Sequence, residues 1–269
     1  MLSLLSTIFY KMIKALFHNK LGRSIRDKFS PSEDSLTSFV FGLIQYLPSN
    51  LIIELLSKAS HSEIIYSQIG ELQEIEFWAH HNSLNKNNKY YVEPDVFMRF
   101  ENADMLFEMK LNDSYGQEES QWVKEILSYQ NEYSSDNKKL YFFAVGGNTN
   151  LIKETISIKK EQIQIFKISW RLLLNEVINL KKSICNNHII CSNSNGVIRI
   201  LDDIIMSFQK HNYYNLLWFE SFEINNYQLN EVLIFNNWTI ENKFHLYSIV
   251  DNRERINNNT LNCISKWEI

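Results

Sequence analysis

Apolar residues recur at helical spacing over Leu36, Phe39, Val40, Leu43 and Leu47, which predicts an amphipathic helix with one buried stripe. Its expected start is Ser30-Pro31-Ser32-Glu33, with Ser30 as N-cap, Pro31 in the first turn and Glu33 three residues on, and Pro48 ends it. Leu51 to Leu56 predicts a second helix. The period then shortens: Ile69 to Trp78, Tyr91 to Phe100 and Met105 to Leu111 read as strands. The polar run His80 to Lys89 separates the first two, and the turn Glu101-Asn102-Ala103-Asp104 joins the second and third. Glu118 to Tyr133 returns to helical spacing, with Trp122, Ile126 and Tyr129 on one stripe. Leu140 to Val145 is an apolar run of buried-strand length closed by Gly146-Gly147-Asn148, and Ile163 to Trp170 predicts a further strand before a helix through Leu180.

This order predicts an α/β fold, a mixed sheet flanked by helices, over residues 31–182. Past residue 183 the chain becomes Asn- and Ser-rich, with a helix expected at Val197 to Lys210 and a β-meander at Val232 to Val250. Residues 183–269 are therefore expected to form an additional α+β subdomain. Residues 1–30 form a basic helical segment with Lys11, Lys14, Lys20, Arg23, Arg26 and Lys28 against Asp27, either a solvated face or a phosphate contact.

Of the 269 residues 45% are apolar and 13% aromatic, which excludes a disordered chain. A formal charge of -4 excludes a generic polycation and leaves a local basic groove open. Three cysteines cannot close a paired framework, so a cytoplasmic location is expected. Met1 to Phe17 is interrupted by Lys11 and Lys14, short of the roughly 20 apolar residues a spanning helix needs, and no membrane partner is expected.

The second strand carries Pro94-Asp95, and the third carries Glu108-Met109-Lys110. Strand alternation puts Glu108 and Lys110 on one face and Met109 on the other, and a suitable register sets Asp95 beside Glu108. Burying a carboxylate and an ammonium in an otherwise apolar strand is costly unless they are paired or hold a metal. The set fits phosphodiester hydrolysis. Mg²⁺ takes oxygen ligands and keeps several waters, so Asp95, Glu108 and the Met109 backbone carbonyl are a sufficient donor set. Lys110 is placed to orient or deprotonate the attacking water and to offset charge in the transition state.

Pro94-Asp95, then twelve residues, then Glu108-Met109-Lys110, resembles the PD-(D/E)XK nuclease superfamily over roughly residues 31–147. The resemblance implies a restriction-endonuclease-like fold and Mg²⁺, with Mn²⁺ as substitute, bound by Asp95 and Glu108. It further implies Lys110 on the water, Glu33 contributed by the first helix, and Gln121 by the helix after the lysine. Some relatives carry a tyrosine four residues beyond that glutamine, and here the position is Glu125. Each residue also has a plain structural reading. Glu33 fits the third position of a capping box, Glu108 and Lys110 a surface ion pair, Asp95 a turn, and Gln121 a solvent-exposed helix position.

The resulting expectation is a Mg²⁺-dependent DNA endonuclease acting in defence against foreign DNA or in its processing, with a homodimer or a protein partner left open. A catalytically silent nuclease-fold subunit that binds nucleic acid or a partner, and an RNase on the same scaffold, are the alternatives. Other motifs carry less. Cys185-x-x-His188-x-x-Cys191 with Cys263 matches no usual zinc spacing. His80-His81 reads as a loop pair, Gly146-Gly147-Asn148 as a turn, and Trp218-Phe219-Glu220-Ser221-Phe222 as core or as a base-stacking run.

Overall fold

The computed structural model describes residues 30–81, 92–158, 161–191 and 193–214. The basic amino-terminal segment, the aromatic run at Trp218, the meander expected at Val232 to Val250 and Cys263 lie outside the described residues.

Helices α1 (Glu33–Ile44), α2 (Ser49–Ala59) and the single turn α3 (Tyr66–Ile69) lead into strands β1 (Leu72–Phe77), β2 (Val96–Phe100) and β3 (Ala103–Met109). Helix α4 (Glu119–Tyr133) and strands β4 (Lys139–Val145), β5 (Glu154–Ile158) and β6 (Glu161–Ile168) follow, then helices α5 (Trp170–Cys185) and α6 (Ser194–Lys210). The fold is α/β. Six strands form one mixed sheet in the order β1-β2-β3-β4-β6-β5. The β1-β2-β3 meander is antiparallel, β4 lies parallel to β3 and to β6, and β5 closes the edge antiparallel to β6.

Two hydrophobic cores cover the two faces of the sheet. Helices α1, α2, α5 and α6 pack Leu36, Phe41, Leu51, Trp170, Leu173, Leu201 and Phe208 against Met105, Phe107, Phe143 and Phe166. Helix α4 packs Trp122, Ile126 and Tyr129 against Phe97, Leu106, Phe142 and Ile165. A strand covered on both faces reads as a continuous apolar run, and all seven residues of β3 are buried. Its two acidic positions, Asp104 and Glu108, are four residues apart and therefore share a face.

Three features differ from the sequence expectation. The N-cap of α1 is Ser32 rather than Ser30: its hydroxyl accepts the Ser35 N–H at 3.2 Å, and Ser35 reciprocates on the Ser32 N–H at 3.0 Å. Glu33 thus occupies the first helical position instead of the third, and its carboxylate is free of capping. Strand β5 is additional; three of its five residues are exposed at the sheet edge, so it carries little apolar signal. Helix α6, beyond the expected boundary at residue 183, shares the core of α1 and α5. Its end is tied to α1 by Ser35 Oγ and His211 Nε2 at 2.7 Å. Among the described residues no helix is long and apolar enough to cross a membrane.

Candidate active site

The antiparallel register pairs Val96 with Phe107, so Asp95, one residue before β2, falls opposite Glu108. The two backbones are locked there: the Met109 N–H donates to Asp95 Oδ2 at 2.7 Å. Glu108 is 2% exposed, and its Oε1 pairs with Lys110 Nζ. Lys110 Nζ also donates to the Met109 carbonyl at 2.9 Å and lies 3.8 Å from Glu33 Oε1. The other Glu33 oxygen accepts the Leu111 N–H at 3.1 Å. Asp95, Glu108, Lys110 and Glu33 therefore meet at the carboxyl end of β3, beside the first residue of α1. The Met109 carbonyl expected as a metal ligand faces the same place and here accepts the lysine.

The backbone around Lys110 is held by residues that carry no charge. Gly146 and Gly147 follow β4 with φ of +68° and +64°, a conformation that side chains disfavour. A Cβ on Gly147 would sit 2.8 Å from Lys110 Cβ, so the turn leaves room for the lysine stem. The Trp170 indole donates to the Lys110 carbonyl at 2.7 Å, and the Tyr213 hydroxyl donates to the Leu111 carbonyl at 2.6 Å. Gln117 Nε2 donates to the Glu108 carbonyl at 3.0 Å, while its Oε1 accepts the Trp122 indole N–H at 2.6 Å, joining β3 to the start of α4. Gly146-Gly147-Asn148 is a turn, as its sequence implies, and it shapes the site.

Helix α4 adds a residue that the motif did not include. Glu125 is 1% exposed, lies beside Glu108 and Asp95, and is contacted by Gln121. Its Oε2 has no hydrogen-bond partner. The signal was in the sequence: Glu125 stands three residues after Trp122 and four before Tyr129, on the buried stripe. Gln121 is half-buried and reaches the cluster through Glu125.

Four carboxylates thus share one ammonium. Burial and the Glu108 carboxylate push the Asp95 carboxyl up to about 7, against the opposing pull of the Met109 N–H and Lys110. Burial, then the neighbouring Glu108 and Asp95, raises Glu125 well above the usual carboxylate range. Burial also raises Glu33, although Lys110 and the Leu111 N–H favour its charged form. Burial opposes the charge on Lys110, but Glu108, Glu33 and Asp95 outweigh it and raise the ammonium.

Asp104, at the other end of β3, is the internal comparison. Also fully buried, it accepts the Tyr129 hydroxyl at 3.0 Å and is flanked by Arg99 and Lys138 Nζ at 3.4 and 3.5 Å. There cations balance the carboxylate. Near Glu108 they do not.

Among the described residues no group of three or more His, Cys, Asp and Glu side chains converges to ring a metal ion by itself. His80 pairs with Glu93 at 2.8 Å, and His81 is buried between the Phe97 and Tyr133 rings, with burial lowering its pKa. Cys185 is exposed at the end of α5, and the Cys191 thiol donates to Ser194 Oγ.

No family model matches the chain and no solved structure matches it. The chain is similar to an uncharacterized protein of Pasteurella multocida (strain Pm70), 29% identical over 238 residues that cover 80% of this chain and 86% of that one.

Proposed function

We propose that this chain is a metal-dependent nuclease of the PD-(D/E)XK type that hydrolyses phosphodiester bonds in DNA. The observation that carries the reading is the excess of buried carboxylate over cation at the carboxyl end of β3, set against the balanced Asp104 on the same strand. Placement supports it as well. An initial helix supplies Glu33, an antiparallel meander supplies Asp95 and Glu108-Met109-Lys110, and a helix and a parallel strand follow.

The donor set fits a hard divalent ion. Asp95 and Glu108 offer carboxylate oxygens, the Met109 carbonyl faces the same place, and Glu125 Oε2 is a buried oxygen lacking any donor. Mg²⁺ is commonly held by one or two carboxylates with retained waters, so no ring of three side chains is needed. Bound there, such an ion lowers the pKa of a coordinated water and offsets phosphate charge.

The chain's own groups do the rest. Asp95 and Glu108 hold their positions through the Met109 N–H and the strand pairing, which keeps the two carboxylates in register. Lys110, whose side chain is 20% exposed, presents a charged Nζ at the opening of the cluster. It is placed to hold the attacking water and to stabilise negative charge on the phosphate in the transition state. Glu33, one-third exposed, lies beside that ammonium and can accept a hydrogen bond from the same water.

The test is incubation of the purified chain with supercoiled plasmid, and separately with structured RNA, in Mg²⁺, in Mn²⁺ and in chelator. Nicking that needs the cation and is absent in folded Asp95→Asn is the expected result. Cleavage of RNA alone reassigns the substrate. A folded chain inactive on both, in both cations, overturns the enzymatic reading in favour of a silent nuclease-fold subunit.

A further inference from the structure

We infer that Tyr213, at the end of α6, is a positioning residue for the Glu33 and Lys110 pair, so that α6 belongs to the catalytic apparatus and not to an appended subdomain. The inference rests on the nuclease reading of this site and deepens it.

The sheet stops holding the chain just beyond the lysine. The Lys110 N–H still donates to the Val145 carbonyl at 2.8 Å, but the next two carbonyls are held by side chains. The Trp170 indole serves Lys110 at 2.7 Å, and the Tyr213 hydroxyl serves Leu111 at 2.6 Å from 102 residues away in the chain. The Leu111 N–H holds Glu33 Oε2 at 3.1 Å, while the other Glu33 oxygen lies 3.8 Å from Lys110 Nζ. Leu111 is thus the joint between the two charged side chains. Its N–H fixes the acid, and Tyr213 fixes its carbonyl.

The end of α6 is built to present that hydroxyl. Asn212 takes a φ of +65°, a left-handed conformation that asparagine tolerates. Its N–H returns to the Gln209 carbonyl at 3.2 Å, and the Tyr213 N–H returns to the Phe208 carbonyl at 2.9 Å, which closes the helix as a Schellman motif. The Tyr213 ring packs edge-on against Phe208 with centroids 6.0 Å apart. That packing asks only for an aromatic ring. The hydroxyl is additional, and its partner is the site. His211, 4% exposed, reaches the other half of the pair: its Nε2 lies 2.7 Å from Ser35 Oγ, in the cap of α1 two residues beyond Glu33. Its Nδ1 donates to the Ser207 carbonyl at 2.8 Å, so the ring is held from both sides. The segment from His211 to Tyr213 therefore ties the helix carrying Glu33 to the strand end carrying Lys110.

The experiment is single-turnover plasmid cleavage in Mg²⁺ at saturating DNA by full-length Tyr213→Phe, which keeps the ring and removes the hydroxyl. A displacement of about 1 Å costs about 100-fold, and with Trp170 still in place the expected loss is about tenfold. DNA binding in Ca²⁺ should stay within about twofold of wild type, since Tyr213 acts on the rate and not on the ground state. The melting temperature should fall by about 2–4 °C, the share of one hydrogen bond in a chain of this size. A general loosening of the fold would also slow cleavage, so the decisive readout is a cycle with Glu33→Gln. If Tyr213 acts by setting Glu33 against Lys110, the double variant is at most about threefold slower than the slower single variant, whereas independent losses multiply. Tyr213→Phe cleaving at the wild-type rate, or a double variant slowed by the product of the two effects, overturns the positioning role and leaves the nuclease reading standing. A wild type without cation-dependent cleavage overturns both.

Discussion

The surroundings of Asp95 oppose its ionisation, and removing the carboxyl should stabilise the metal-free chain above neutral pH. Raising a carboxyl from 3.8 to about 7 corresponds to about 4 kcal/mol of opposition to the charged form. Between those two values the folded chain keeps a proton that the unfolded chain releases, so stability falls as pH rises through that window and is level above it. Asn keeps the shape and still accepts the Met109 N–H, but as a neutral acceptor, which gives back about 1 kcal/mol. Asp95→Asn is therefore expected to be more stable than wild type by about 3 kcal/mol at pH 8, a margin that disappears toward about pH 2, where aspartate is protonated in both states. Urea unfolding in chelator across that range measures the difference. Saturating Mg²⁺ should then reverse the order at pH 8, because the ion binds the folded wild type and not the variant. An Asp95→Asn chain no more stable than wild type at pH 8 in chelator would refute the claim that the cluster carries uncompensated charge.

Lys110→Ala should move stability the other way. It strips Glu108 of its partner, which costs about 3–5 kcal/mol for a buried pair, and single-turnover cleavage should fall by about 100-fold or more while DNA binding in Ca²⁺ changes only a few-fold. Wild-type cleavage at saturating DNA would reduce Lys110 to a contact. Glu33→Gln should leave the unfolding free energy within about 1 kcal/mol of wild type, since Ser32 and Ser35 cap α1 without it and Gln still accepts the Leu111 N–H, yet slow cleavage by about tenfold or more. Full activity would remove Glu33 from the site. Gly147→Ala should destabilise by about 1–3 kcal/mol and slow cleavage, because it places a methyl group 2.8 Å from Lys110 Cβ at a φ of +64°. Unchanged melting and cleavage would show that the turn does not set the lysine.

The sequence by itself determined what depends on neighbours along the chain. Helical spacing located α1 and α4, short apolar runs bounded by turn residues located β2, β3 and β4, and strand alternation put Glu108 and Lys110 on one face. The register of one short hairpin was enough to bring Asp95 to Glu108. What the tertiary structure decided was anything settled by contact between distant segments. Ser32, not the expected Ser30, caps α1, and that leaves the Glu33 carboxylate to the Leu111 N–H, 78 residues away in the chain. Edge strand β5 shows its apolar side to one neighbour only, so its pattern was too weak to read. Glu125 was visible on the α4 stripe, but a carboxylate among apolar residues becomes meaningful only when the opposite layer is known, and that layer is Glu108 and Asp95. Asp104 and Glu108 are alike in sequence, both acids in an apolar strand. Only packing gives one of them Arg99, Lys138 and Tyr129 and leaves the other sharing Lys110 with three more carboxylates, because burial and net charge are sums over all three dimensions.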